Sequence, residues 1–204
     1  MLRWLYSDCG RTISDAELIN VGNSFCGNAS PKELPRSAQY KSLKKYPDCM
    51  IGQYFKDAIK IIRKRLDGNQ IRWALVGSAN MKLQGMKTEP RDLDIVVQYK
   101  DLQKVSGIFS DYSASAVKEL ESLTDKPAWE VKARINGAEV QFIAGDEKDV
   151  YVSKLLANKI TYVKLDGVDI PCFTLEAESQ AYAETNRGHK ARLIQEFLGA
   201  RNRV

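Results

Sequence analysis

Apolar side chains first recur with helical spacing at Ile51, Tyr54, Phe55, Ala58 and Ile62, and Lys56, Lys60, Arg63 and Lys64 fall on the opposite side of that wheel. The spacing predicts an amphipathic helix over 50–66, with basic residues in the last turn and Gly68 as its stop. The period then changes. Residues 71–76 read as a buried strand that ends abruptly at Gly77-Ser78, and residues 79–85 suit a short helix. A turn over Lys87–Arg91, with Pro90 inside it, leads into a second strand over Asp92–Gln98 and a helix from Asp101 to Phe109. Asn136-Gly137, between Ala128–Ile135 and Ala138–Ile143, is a type I′ hairpin signal, and Asp166-Gly167 repeats it between Thr161–Leu165 and Val168–Phe173. Two helices near 175–186 and 189–199 close the chain. The expectation is an α/β (α+β) domain over 50–204, with a mixed central sheet drawn from residues 71 to 143, flanking helices and a C-terminal helical pair.

Residues 1–49 behave differently. Gly10, Gly22, Gly27, Pro31 and Pro35 break them up, and only Ser14–Val21 suggests a short helix. They are expected to form an irregular N-terminal extension. At 204 residues the chain suffices for one domain with a core. No apolar run approaches the roughly 20 residues that span a bilayer, and the N-terminus lacks a signal-peptide pattern, so a cytoplasmic protein is expected. The four cysteines, Cys9, Cys26, Cys49 and Cys172, contain no CxxC pair. Free thiols are the default reading, and a zinc site at Cys9, Cys26 and Cys49 with a fourth ligand is the weaker alternative. The net charge is +5, but residues 32–65 alone carry ten Lys or Arg against Glu33, Asp48 and Asp57. Such a field attracts phosphates and nucleic acid, so Lys56, Lys60, Arg63 and Lys64 are candidate nucleic-acid contacts. A solvated helix face explains them equally well.

The candidate chemistry lies between the first two strands. Asp92 and Asp94 are i and i+2 at the start of an apolar strand, so they share a face about 6.6 Å apart at ~3.3 Å per residue. Two carboxylates there repel and lose hydration, and a divalent ion relieves both costs. Mg²⁺ (or Mn²⁺) suits an all-oxygen site that recruits substrate phosphates. Gly77-Ser78 adds a close backbone approach, a helix N-terminus and a hydroxyl donor for a phosphate.

Val76-Gly77-Ser78, Leu83-Gln84-Gly85 and Arg91-Asp92-Leu93-Asp94-Ile95 together resemble the DNA polymerase β-like nucleotidyltransferase superfamily. A closer likeness is to small stand-alone bacterial nucleotidyltransferase-like proteins, sometimes labelled MazG-related. It continues through Asn136–Val140 and Leu175–Tyr182, and covers about residues 55–198. The resemblance implies a nucleotidyltransferase-type fold and metal-dependent transfer of a nucleoside monophosphate from ATP or another NTP to an acceptor hydroxyl. It assigns Asp92 and Asp94 as metal ligands and Glu139 as the third catalytic carboxylate, in place of the commoner Asp, with Asp146 as fallback. It also implies that Arg91, Arg187 and Lys190 approach the nucleotide beside Gly77 and Ser78. RNA, perhaps a tRNA end, is slightly favoured as acceptor by the basic 32–65 segment. A small-molecule acceptor, as in antibiotic-modifying relatives, calls instead for a closed, partly acidic cleft. The alternative function is a non-catalytic module that binds nucleotide or nucleic acid on the same fold.

Plainer roles exist for each residue. Asp92 could serve the turn after Pro90, and Arg91 could neutralise an aspartate without metal. Glu139 could be a hairpin surface residue, Gly77-Ser78 a plain turn, and Arg187 and Lys190 solvated surface. His189, the only histidine, is expected to be a surface or capping residue, and Tyr182 to be core.

Overall fold

A computed structural model describes residues 51–120, 127–145, 150–185 and 187–201. The expected N-terminal extension, its helix at Ser14–Val21, the candidate zinc cysteines Cys9, Cys26 and Cys49, and Asp146 lie outside the described residues. Helix α1 (Gln53–Gly68) leads into β1 (Trp73–Val76), α2 (Gly77–Leu83) and β2 (Leu93–Val97). A 3₁₀ turn (Tyr99–Asp101) and α3 (Leu102–Ile108) follow, then β3 (Lys118–Leu120), β4 (Ala128–Ile135) and β5 (Ala138–Gly145). The chain continues through α4 (Val150–Asn158), β6 (Ile160–Leu165), β7 (Val168–Phe173), α5 (Leu175–Glu184) and α6 (Gly188–Arg201).

All the strands join one seven-stranded sheet in the order β3-β4-β5-β2-β1-β7-β6. The pairings of β2 with β5 and of β1 with β7 are parallel, and the others are antiparallel. The architecture is the expected mixed α/β one, and the sheet is wider than the 71–143 segment suggests. The second hairpin docks through β7 onto β1, at Leu75 and Cys172. Both hairpins turn as their dipeptides predict, with positive φ at Asn136 (49°), Gly137 (85°), Asp166 (50°) and Gly167 (82°). Two elements escaped the pattern. β3 is three residues long and both of its exposed residues, Lys118 and Glu119, are charged, and α4 opens on Val150-Tyr151-Val152, which reads as strand.

Each sheet face carries its own apolar layer. One holds Trp73, Leu75, Leu93, Ile95, Val140 and Phe142 against α1 and α3. The other holds Ala74, Val76, Val96, Ile143 and Phe173 against α4, α5 and α6. Alternation along each strand assigns every side chain to one layer or the other. Tyr182, 1% exposed, is core as expected. No helix among the described residues is long and apolar enough to cross a membrane.

Helix α1 corrects two expectations. Its buried stripe is Phe55, Ala58, Ile59, Ile62 and Leu66, while Tyr54 is 48% exposed, because it sits one residue, about 100°, off the stripe. Lys56, expected on the solvent side, is 2% exposed. Its ammonium lies 3.6 Å from Asp166 in the β6–β7 turn, where Lys60 also bonds Asp166 at 2.5 Å. Arg63 Nε donates to the Asp169 carbonyl at 3.0 Å and pairs with Asp67. Three of the four candidate nucleic-acid contacts on this helix therefore bind the chain itself. Only Lys64 is fully on the surface.

The Lys60 hydrogen bond and the two nearby ammonium groups hold the Asp166 carboxyl below its usual range. That contribution to stability is present above the ordinary carboxylate pKa and is lost as pH falls through the lowered one. Asp166→Asn keeps a side chain suited to positive φ and removes the charge. Urea unfolding at pH 7 is expected to show a loss of about 1 kcal/mol, and the difference from wild type should vanish in strong acid.

Candidate active site

β1 ends at Val76, and Gly77 turns the chain straight into α2 with φ 74°, a conformation that suits glycine. β2 returns antiparallel, so Val76 faces Asp94 across the ladder. β5 lies parallel on the other side of β2, with Leu93 opposite Val140 and Asp94 opposite Gln141. Continued by one residue, that register sets Asp92 level with Glu139. Asp92, Asp94, Glu139 and Gln141 thus rise from one sheet face, the one packed against α5 and α6. The basic face of α1 lies behind the opposite face.

The carboxylates are under strain of charge. Burial is the main cause that raises the Asp92 pKa, with Glu139 adding to it, while Lys190 and Arg91 pull it down. Asp94 keeps some exposed surface, yet burial of its carboxyl raises its pKa well above the normal value. Asp92 and Glu178 push it further up, and Arg187 and Lys190 oppose them. Glu178, on α5, is fully buried and accepts hydrogen bonds from the Gly77 N–H at 2.7 Å and from Asn80 Nδ2 at 2.7 Å. Asn80 Nδ2 and Gln84 Nε2 also donate to the Phe173 carbonyl, at 3.0 and 2.7 Å. One buried network thereby ties the Gly77 elbow to β7 and α5.

The Gly77 N–H, the first of the α2 N-terminus, is taken by Glu178. Ser78 is half-buried, and its carbonyl accepts from Thr88 Oγ1 at 3.0 Å. Arg91 is exposed, and among the described residues no ion pair locks either aspartate onto an arginine. Arg187 is not solvated surface: it is 6% exposed and acts on the charge of Asp94. Lys190 lies 5.2 Å from the Tyr182 ring centroid, and His189 is exposed. Glu139 is exposed and pairs with Arg134 across the β4–β5 hairpin at 3.0 Å.

Glu178 and Asn80 were missed by the sequence reading. The signal was there: Glu178 stands three residues after Leu175 and four before Tyr182, a carboxylate on an apolar helical stripe. Such a residue needs buried donors.

The comparisons decide the family. Residues 58–196 match the model of the aminoglycoside-2″-adenylyltransferases, well over half of the chain. The chain belongs to this family. It is a nucleotidyltransferase enzyme by that membership. No curated protein sequence matches it. A candidate nucleotidyltransferase of Thermotoga maritima has 25% identity and a TM-score of 0.50, over 81% of this chain and 96% of that one. ANT(2″)-Ia in complex with adenylyl-2″-tobramycin shows 14% identity and a TM-score of 0.47, over 71% and 89% of the two chains.

An adenylyltransferase family implies a divalent ion, and the donor set accommodates one in part. Asp92 and Asp94 present hard oxygens on one face, the Asp92 charge raises the pKa of Asp94, and no ion pair among the described residues locks either onto an arginine. Among the described residues, however, no three acidic, His or Cys side chains group closely enough to hold an ion. The pair fits an ion whose remaining ligands come from substrate phosphates and water.

Two outcomes follow from the burial. With a folded pKa above the unfolded one, Asp94 weakens folding as pH rises past the ordinary carboxylate value. Asp94→Asn is therefore expected to raise the melting temperature of the metal-free protein at pH 7, by scanning fluorimetry in EDTA, while abolishing transfer. Glu178→Ala leaves the Gly77 N–H and an Asn80 donor without their shared acceptor, and calorimetry should show a loss of about 2–4 kcal/mol.

Proposed function

We propose that this chain transfers a nucleoside monophosphate from an NTP to an acceptor hydroxyl. The observation that carries this reading is the pair Asp92 and Asp94, set together at the edge of an apolar layer beside the Gly77-Ser78 elbow and opposed in charge by Arg187 and Lys190. Asp92 and Asp94 would hold Mg²⁺ or Mn²⁺, which supplies charge neutralisation at the α-phosphate when bound. Ser78 offers a hydroxyl at the elbow, and Arg187, Lys190 and Arg91 offset triphosphate charge. Glu139, level with Asp92 on β5, accepts the proton of the attacking hydroxyl at its carboxylate once it releases Arg134. Pyrophosphate leaves. Most of the rate comes from positioning and fixed charge.

For the acceptor, helix α1 no longer argues for RNA, because Lys56, Lys60 and Arg63 are committed elsewhere. The family's description names a small-molecule aminoglycoside acceptor for its members, and an RNA end offers a hydroxyl too. The narrower likeness to MazG-related stand-alone proteins rests on the motif run alone. A second reading, a non-catalytic nucleotide-binding module, is favoured by one feature: Glu139 is turned to Arg134 and does not close a triad. Calorimetry with ATP and Mg²⁺ tests both. Binding that weakens at least tenfold in Asp92→Asn/Asp94→Asn supports the site, and equal binding in that variant refutes it. Pyrophosphate release from ATP, with pooled cellular RNA or metabolites as acceptors, selects the enzyme over the module.

A further inference from the structure

β2 has a different neighbour on each side. On the β1 side stands the Gly77-Ser78 elbow, tied to α5 through Glu178, and Arg187 and Lys190 at the α5–α6 junction act on the charge of Asp94, so these are the groups suited to a triphosphate. On the other side the same face continues across β5 and β4 to β3. In-line displacement sets the attacking oxygen opposite the leaving pyrophosphate. A nucleotide held on the β1 side therefore leaves the acceptor to approach over β5 and β4.

The side chains on that strip are fixed by register. Gln141 pairs with Lys132 and Glu139 with Arg134, while Glu130 faces Lys118 on β3. Glu130 is 3% exposed, and its carboxylate accepts a hydrogen bond from the Gln141 amide. Lys118 Nζ and Lys132 Nζ both lie 3.4 Å from the same oxygen, Glu130 Oε1, and each lysine side chain is 55% exposed. Two ammonium groups thus share one buried anion, an excess of one positive charge among the described residues of this cluster. Arg134 and Glu139 cancel each other nearby. Lys132 stands two strands from Asp94, about 10 Å at ~4.8 Å per strand.

We infer that this lysine pair is an acceptor subsite for a phosphate group, so that the substrate is a phosphorylated hydroxyl compound and not a polycation. This rests on the proposed nucleotidyl transfer and adds the substrate class. The buried carboxylate fixes both ammonium groups in advance, so little ordering is left for binding. A polyamine acceptor meets like charge at the same place, which works against it. A free sugar phosphate and the end of an RNA share the required chemistry.

The test titrates the full chain, saturated with Mg²⁺ and a non-hydrolysable ATP analogue, with ribose 5-phosphate, a triadenylate ribonucleotide and tobramycin. At least one anionic probe is expected to bind tenfold or more tighter than tobramycin, and which one does so distinguishes the two sources. Lys118→Gln/Lys132→Gln is expected to weaken that probe at least fivefold. Because this variant strips Glu130 of both cations, Lys118→Gln/Glu130→Gln/Lys132→Gln serves as a neutral replacement with no unpaired buried charge, and the same loss is expected. Lys104→Glu, on α3 behind the opposite face, is expected to bind as wild type does. Tobramycin binding as tightly as the anions, neither anion binding, or no loss in the triple variant overturns the subsite. Failure of the ATP analogue itself to bind overturns the nucleotidyl-transfer reading, and the subsite with it.

Discussion

Two carboxylates, Asp94 and Glu178, are placed at the edge of an apolar layer, and each raises the cost of the other. The two charges are handled differently. Glu178 is fully buried and takes the Gly77 N–H and the Asn80 amide as donors, which turns a liability into a structural joint. Asp94 keeps its pKa well above the usual carboxylate range. Arg187 and Lys190 are near enough to lower that cost without removing it. The strand-to-helix elbow, the β1–β2–β5 register and the docking of α5 and α6 all converge on this pair.

The elbow shows how structure and chemistry divide the work. A glycine at φ 74° lets the strand stop and the helix start within one residue. Its N–H, which a helix N-terminus would offer to a phosphate, is instead the anchor for α5 through Glu178. Arg187, at the junction of α5 and α6, is nearly buried and draws down the pKa of Asp94.

The opposite face has the complementary lesson. Lys56, Lys60 and Arg63 look in sequence like a solvent-facing basic stripe. In the fold they hold α1 to the β6–β7 hairpin through Asp166 and the Asp169 carbonyl. Long cationic side chains reached residues more than a hundred positions away. Positive charge counted along α1 therefore said little about a free basic surface, and the other half of the 32–65 run, Lys32, Arg36, Lys41, Lys44 and Lys45, lies outside the described residues. Lys118 and Lys132 add positive charge to the sheet face that carries Asp94, on strands where the sequence showed no cluster.

Local chemistry alone determined much of this protein. Periodicity of 3.6 or 2, the Asn-Gly and Asp-Gly turns, and the Gly-Ser elbow followed by Asp-x-Asp depend on neighbours within a few residues. They gave α1, both hairpins, the α5–α6 pair and the position of Asp92 and Asp94 on one strand face. What lay beyond them depends on which strands pair and which helices dock. Only that decided that β7 extends the sheet beside β1, that Glu178 claims the Gly77 N–H, that Glu139 turns to Arg134, and that Lys56 is buried. Each of these is a contact between segments distant in the chain. Burial and partner choice are set by the space between elements, which a single strand or helix does not contain.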